Sequence, residues 1–209
     1  MVEEEKREIH WSAQLEILIA QEAEKCRGLA WIHQRAEAIA SNRANFIAIP
    51  VIILSTLCGT ASMSSATLFG PENAQISNTT IGLVSILVGI LNTINSYFAF
   101  SRKAEGSHIA YLQYSKLFSW ISVELSLPRS ERMLPNQMLE QLRNTMERLA
   151  ETTPTPPASV IKEFNIQFKE YTDISKPIET NGLTKVKIYR DAARASTETS
   201  TPLLIQDKL

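Results

Sequence analysis

Two stretches of this chain carry no charge at all. From Asn45 to Phe69 it reads NFIAIPVIILSTLCGTASMSSATLF, and from Thr79 to Ser101 it reads TTIGLVSILVGILNTINSYFAFS. Each is longer than the roughly 20 residues that cross a hydrocarbon core at 1.5 Å per residue, so the pattern predicts two membrane-spanning helices. Between them lies GPENAQISN, residues 70–78, a short polar turn containing Gly70, Pro71 and Asn73. A connection that short makes the two helices antiparallel neighbours. The competing reading is a pair of helices buried in a soluble bundle. It is set aside because a chain of 209 residues has too little mass to cover two uncharged helices on every side.

Outside the spans the apolar residues recur at helical spacing. From about Lys6 to Asn42 there is no proline and one glycine, and Leu15, Ile19, Ala23, Cys26 and Ala30 form a stripe. After the second span Ala110, Tyr114, Leu117, Ile121 and Leu125 form another, on a helix that ends before Pro128. Asn136 is read as the cap of a further helix with Leu139, Leu142, Met146 and Leu149 on its apolar face. The TPTPP run, Thr153 to Pro157, interrupts it. A shorter helix is expected from about Ala158 to Tyr171, and the end from about Arg194 reads as disordered. The expected fold class is therefore all-α. A cytosolic N-terminal helix occupies 1–43 and the transmembrane hairpin 44–103, with spans at about 45–69 and 79–101. A cytosolic helical region follows at 104–173, and an extended or disordered tail at 174–209.

The spans are more than plain anchors. Ser55, Gly59 and Ser62 share a face of the first, with Cys58 beside them, and are candidates for helix packing. Gly82, Ser85, Gly89, Asn92 and Ser96 share a face of the second, with Asn95 at its edge. Two readings of this small polar stripe stay open. Small residues let backbones approach, and Ser or Asn side chains bond across an interface. Intramembrane polar groups also line wet cavities, which makes all six positions on the second span candidate pore-lining residues. Both readings call for self-association, because a two-helix chain cannot bury the Asn92 and Asn95 amides by itself. Pro50 marks a helix start or a bend in the first span.

Charge adds orientation. Arg35 and Arg43 precede the first span, and Arg102 and Lys103 follow the second. The connecting loop has no Lys or Arg and one acid, Glu72. The positive-inside rule then puts both termini in the cytosol and the loop outside. Asn78-Thr79-Thr80 is a glycosylation sequon in that loop, so close to the membrane that it is expected to stay unmodified. Met1 to Glu8 is acidic and the first long apolar run begins near Phe46, so no cleavable signal is read and the first span is expected to be retained.

Composition changes little else. The chain is 44% hydrophobic and 21% charged, with a net charge of −1, so no basic surface recommends nucleic acid as a partner. Cys26 and Cys58 form no metal or redox spacing and read as small apolar fillers. His33 reads as a polar edge contact. Glu105 and His108 lie one helical turn apart, too few ligands for a metal. No phosphate-binding loop, HExxH, GxSxG or paired-cysteine set occurs, so no catalytic residues, metal or cofactor are expected.

Five strings carry a resemblance: CRGLAWIHQRA (Cys26 to Ala36), IPVIILSTLCGTAS (Ile49 to Ser62), AEGSHIAYLQYSKL (Ala104 to Leu117), ELSLPRSER (Glu124 to Arg132) and SKPIETNGL (Ser175 to Leu183). Together, over roughly residues 10 to 183, they resemble the SLATT family, two-transmembrane effector domains found beside nucleotide-signalling genes in bacteria. The long form with the ELSLP segment looks like versions encoded by large DNA viruses, especially those of algae. The resemblance implies a membrane hairpin with cytosolic helical extensions and an oligomeric pore that permeabilises a membrane as an effector. This chain departs from the bacterial arrangement in having no fused nucleotide-sensing domain. The expected function is a subunit of a homo-oligomeric pore of four or more chains in a lipid bilayer. The alternative is a scaffold membrane protein without conductance, for example of a viral membrane.

Overall fold

The computed structural model describes residues 9–63, 70 and 72–181. The expected disordered end from Arg194 lies outside the described residues, as does most of the 174–209 segment. Among the described residues the chain is all-helical. The elements are α1 (Ala13–Met63), α2 (Ala74–Phe98), α3 (Phe100–Ser126), α4 (Pro135–Thr152), α5 (Ala158–Gln167) and the short α6 (Ile178–Asn181).

Ser12 sets the start of α1. Its hydroxyl oxygen accepts the backbone N–H of Leu15 at 3.2 Å, and its carbonyl takes that of Glu16 at 3.0 Å. The helix thus begins later than Lys6, then runs 51 residues without a break, about 76 Å at 1.5 Å per residue. No boundary exists at residue 43. The collar part and the apolar part are one rod, and Pro50 sits inside it rather than at a start. There the missing N–H leaves the Phe46 carbonyl without its helical partner. The second apolar helix starts at Ala74, so the turn is shorter than 70–78 and Asn78 lies within α2. The Thr79 and Thr80 hydroxyls beside it donate to the Gln75 and Ile76 carbonyls one turn back. At its far end α2 breaks at Ala99, which adopts a left-handed conformation (φ 48°, ψ 44°), and α3 continues from Phe100. For an alanine that geometry costs on the order of 1 kcal/mol.

Below the hairpin the helices form a collar around α1. One face of α1 (Ile19, Ala23, Cys26, Ala30) meets Ala110, Tyr114, Leu117 and Ile121 of α3, closed by Met138, Leu142 and Leu149 of α4. A second face of the same helix (Ile32, Ala36) receives Val160 and Phe164 of α5. Pro135 at the first helical position starts α4, with Leu134 before it, so Asn136 is inside the helix rather than its cap. Cys26 is a filler as read: it is buried, its Sγ lies 3.6 Å from the Met146 sulfur, and burial pushes its thiol up to about 12.

The base of the collar is closed by the ELSLPRSER segment. Arg129 grips the Glu16 carboxylate with two hydrogen bonds (2.8 and 2.9 Å), and Arg132 adds a third at 2.6 Å. Arg132 also donates to the Leu127 and Leu125 carbonyls at the end of α3, and its guanidinium lies 5.3 Å from the Trp11 ring centroid. The Trp11 indole N–H donates to the Met133 carbonyl at 3.1 Å. Hydrogen bonds from Arg129, then from Arg132, hold the Glu16 carboxyl down at about 2.

His33 is no edge contact. It is 2% exposed, stacked on Tyr114 at 5.6 Å, and its Nδ1 has no hydrogen-bond partner. Burial lowers its pKa from 6.5 to about 4 and raises that of the Tyr114 phenol, with the Thr153 side chain opposing the rise. The folded state then binds fewer protons than the unfolded one between those two pH values. Collar stability is accordingly complete above pH about 6.5 and is lost as pH falls toward 4, by on the order of 3 kcal/mol. Replacing His33 with Phe keeps the stack and removes the titration. Thermal unfolding followed by circular dichroism from pH 7 to pH 4 should show an acid-sensitive midpoint that flattens in His33→Phe; equal slopes would refute the assignment.

Candidate functional site: the open flank of the apolar hairpin

Three contacts fix the direction of the long helices. Glu16 meets Arg129, His33 meets Tyr114, and His108 Nδ1 lies 3.0 Å from the Glu37 carboxylate. As numbers rise on α1 they fall along α3, so the two run antiparallel with a nearly constant register. Continued at equal rise, that register brings Ser55 to about the level of Asn92, and Ser62 to about that of Ser85.

Within the hairpin the inward face of α2 is Ile81, Val84, Val88, Leu91 and Asn95, which are less exposed than their neighbours at the same 3–4 spacing. On α1 the matching face is Val51, Leu54, Cys58 and Ala61. Two expected sets take their place relative to this seam. Ser55, Gly59 and Ser62 are exposed, and a Cβ added to Gly59 would meet no described atom within 4 Å. Asn95 does not belong to the exposed stripe: it faces α1, and its Oδ1 is buried with no hydrogen-bond partner.

The other expected residues stay together. Gly82, Ser85, Gly89, Asn92 and Ser96 are all exposed, on a stripe about a quarter turn from the inward face. A Cβ at Gly82 or Gly89 would likewise meet nothing within 4 Å. The Ser85 hydroxyl donates to the Ile81 carbonyl one turn back. On α1 the Ser55, Gly59 and Ser62 stripe is displaced by the same angle in the same sense. Because the helices are antiparallel, equal rotations bring both stripes to the same side of the hairpin. One flank is therefore small and polar on both helices, and the opposite outer surface carries Leu83, Ile86 and Ile90. Sequence reading found each stripe but not their union, which needs the antiparallel seam.

The apolar surface is bare. Both long helices are long and apolar enough to cross a membrane, and 6% of the apolar window of α1 is buried within the chain. A helix in a soluble core would bury most of such a window; here Leu83 is 71% and Phe46 82% exposed. Where α2 ends, Tyr97 is also 82% exposed, and Phe98 stacks on Phe100 across the Ala99 break. Arg43, Arg102 and Lys103 are exposed just below, without an ion-pair partner among the described residues. Arg35, expected with them, is instead tied to Glu163 of α5 at 2.9 Å. His108 pairs with Glu37 rather than Glu105, and the described residues hold no group of three or more metal-ligating side chains.

No protein-family profile, curated protein or solved structure matches this chain.

An unpartnered amide oxygen in an apolar seam costs about 1–3 kcal/mol. Asn95→Leu should therefore leave the hairpin at least as resistant to denaturant as the parent. A loss of more than about 1 kcal/mol in unfolding of the purified protein in mild detergent would show that the amide has a partner in the assembled state.

Proposed function

We propose that this chain is a two-span membrane protein whose hairpins assemble, four or more together, around a water-filled pore. The observation that carries the reading is the single flank on which Asn92, Ser85 and Ser96 of α2 stand on the same side as Ser55 and Ser62 of α1, exposed among the described residues and backed by bare apolar surface. In hydrocarbon such a flank needs a partner or water, because unpaired amides and hydroxyls are costly there. A ring of hairpins gives it both. The resemblance to the SLATT family supports the same reading and adds a role as an effector that permeabilises a membrane.

Orientation in this proposal follows the flanks. Exposed Phe46 and Tyr97 mark the level of an interfacial aromatic belt, and Arg43, Arg102 and Lys103 beyond it mark the cytosolic side. Both termini and the collar are then cytosolic, and the tip around Glu72 and Asn73 is outside. Membrane-impermeant thiol labelling of intact cells should modify Gln75→Cys and spare Ser196→Cys. The reverse pattern would invert the hairpin.

Open space above Gly59, Gly82 and Gly89 favours a second use of the same flank, as close helix packing in a scaffold without conductance. Asn92→Leu separates the two. In a pore it replaces a polar ring with an apolar constriction that gates by dewetting, so current falls while the oligomer persists. In a scaffold it removes interhelical bonds worth on the order of 1 kcal/mol each, so the oligomer weakens. Oligomer mass and bilayer current should be measured on one preparation. Intact mass with lost current supports the pore; lost mass, or unchanged current, counts against it.

A further inference from the structure

Away from the hairpin, the cytosol-side helices enclose a second feature. A cleft of about 390 Å³ opens between α1, α3, α5 and the segment 171–176. Its walls are Phe118 of α3, Phe164 of α5, Phe168 at the end of that helix, and Tyr171. The α5 rings are held from behind: Trp31 meets Phe164 edge-on at 5.5 Å and Phe168 at 5.4 Å, and the two phenylalanines lie 4.7 Å apart. The wall is thus a preorganised aromatic surface rather than a loose apolar patch.

The charges around it are unequal. The Arg27 guanidinium stands 5.7 Å from the Phe118 ring centroid, is exposed, and has no carboxylate within ion-pair distance among the described residues. Lys176 is fixed at the rim by a 2.7 Å hydrogen bond from its Nζ to the Phe168 carbonyl. The one carboxylate in the lining, Glu24, is already engaged: its Oε2 accepts the backbone N–H of Ser175 at 2.7 Å. The lining therefore holds two cations against one satisfied anion. At the lip Tyr171 is 55% and Ile174 47% exposed, apolar surface that an occupant would bury.

We propose that this cleft binds a small planar aromatic anion, its ring against the aromatic wall formed by Phe168 and Tyr171 and its acidic group on Arg27. The volume falls in the range of small-molecule sites, about 300–1,000 Å³. A cationic ligand would also suit aromatic faces, but Arg27 already occupies the face of Phe118 and would repel it. Guanidinium is the group that matches a carboxylate or sulfonate in two-point geometry. The site lies in the collar and does not depend on whether the hairpin conducts.

The test uses the full chain in lipid nanodiscs, with empty nanodiscs as the reference for partitioning into lipid. Three probes of one shape are titrated calorimetrically: 2-naphthoate, 2-naphthylmethanol and 2-naphthylmethylammonium. The expected result is saturable binding of one naphthoate per chain, about tenfold weaker binding of the alcohol, and none of the ammonium. Arg27→Gln, a substitution at an exposed position, should bring naphthoate down to the level of the alcohol. Filling the lip with Ile174→Trp should weaken both together. Absence of saturable naphthoate binding, equal affinity for the three probes, preference for the ammonium, or indifference to Arg27→Gln would each overturn the assignment.

Discussion

The rest of the structure follows from α1, a single unbroken helix with one packed half and one bare half. Over its first half it is packed from two sides, by α3 and α4 on the face of Ile19, Cys26 and Ala30, and by α5 on the face of Ile32 and Ala36. Over its second half it offers a single seam to α2 and leaves the remainder bare. The rod is continuous, so the collar fixes the azimuth of the span: the rotation that buries Ile19 and Ala30 also decides which way Ser55, Gly59 and Ser62 point. The rotation of α2 is set in turn by the seam of Val84, Val88 and Leu91. The polar flank thus depends on collar packing many turns away.

The strings that carry the family resemblance act mostly at joints. Glu124, Arg129 and Arg132 of ELSLPRSER tie the base of the collar, Glu124 by accepting the Met133 N–H. Gly28, in CRGLAWIHQRA, is the place where Pro177, in SKPIETNGL, lies against α1; a Cβ there would meet the proline ring at 2.7 Å. The two motifs are distant in sequence and are one contact in space. Asn165 adds a hydrogen bond from its Nδ2 to the Thr180 carbonyl, holding the segment after α5 in place.

Much of this was legible in the sequence, for identifiable reasons. Uncharged runs and 3–4 spacing reveal helices and their main apolar face, so the stripes at Ile19–Ala30 and Ala110–Ile121 could be read directly. A helix with two buried faces hides the second, and Ile32 and Ala36 were missed because their period is masked by the first. In the spans nearly every position is apolar, so hydrophobicity no longer says which face is inside. That is why Asn95 could not be separated from Asn92 before the seam was seen. Ala99 gave no signal, since nothing in alanine itself announces a left-handed residue, whereas Pro50 announced a bend whose position inside a longer rod only the continuity of α1 reveals.

Pro50 and Ala99 have a joint consequence. The register that pairs Glu37 with His108 places both irregularities at about the same height, where the collar gives way to the hairpin. Above and below that height the ladders of backbone hydrogen bonds are regular; at it, one strut lacks a rung and the other changes hand for one residue. Two breaks at one level gather the chain's departures from ideal helix geometry where Phe46, Tyr97 and Phe98 are exposed.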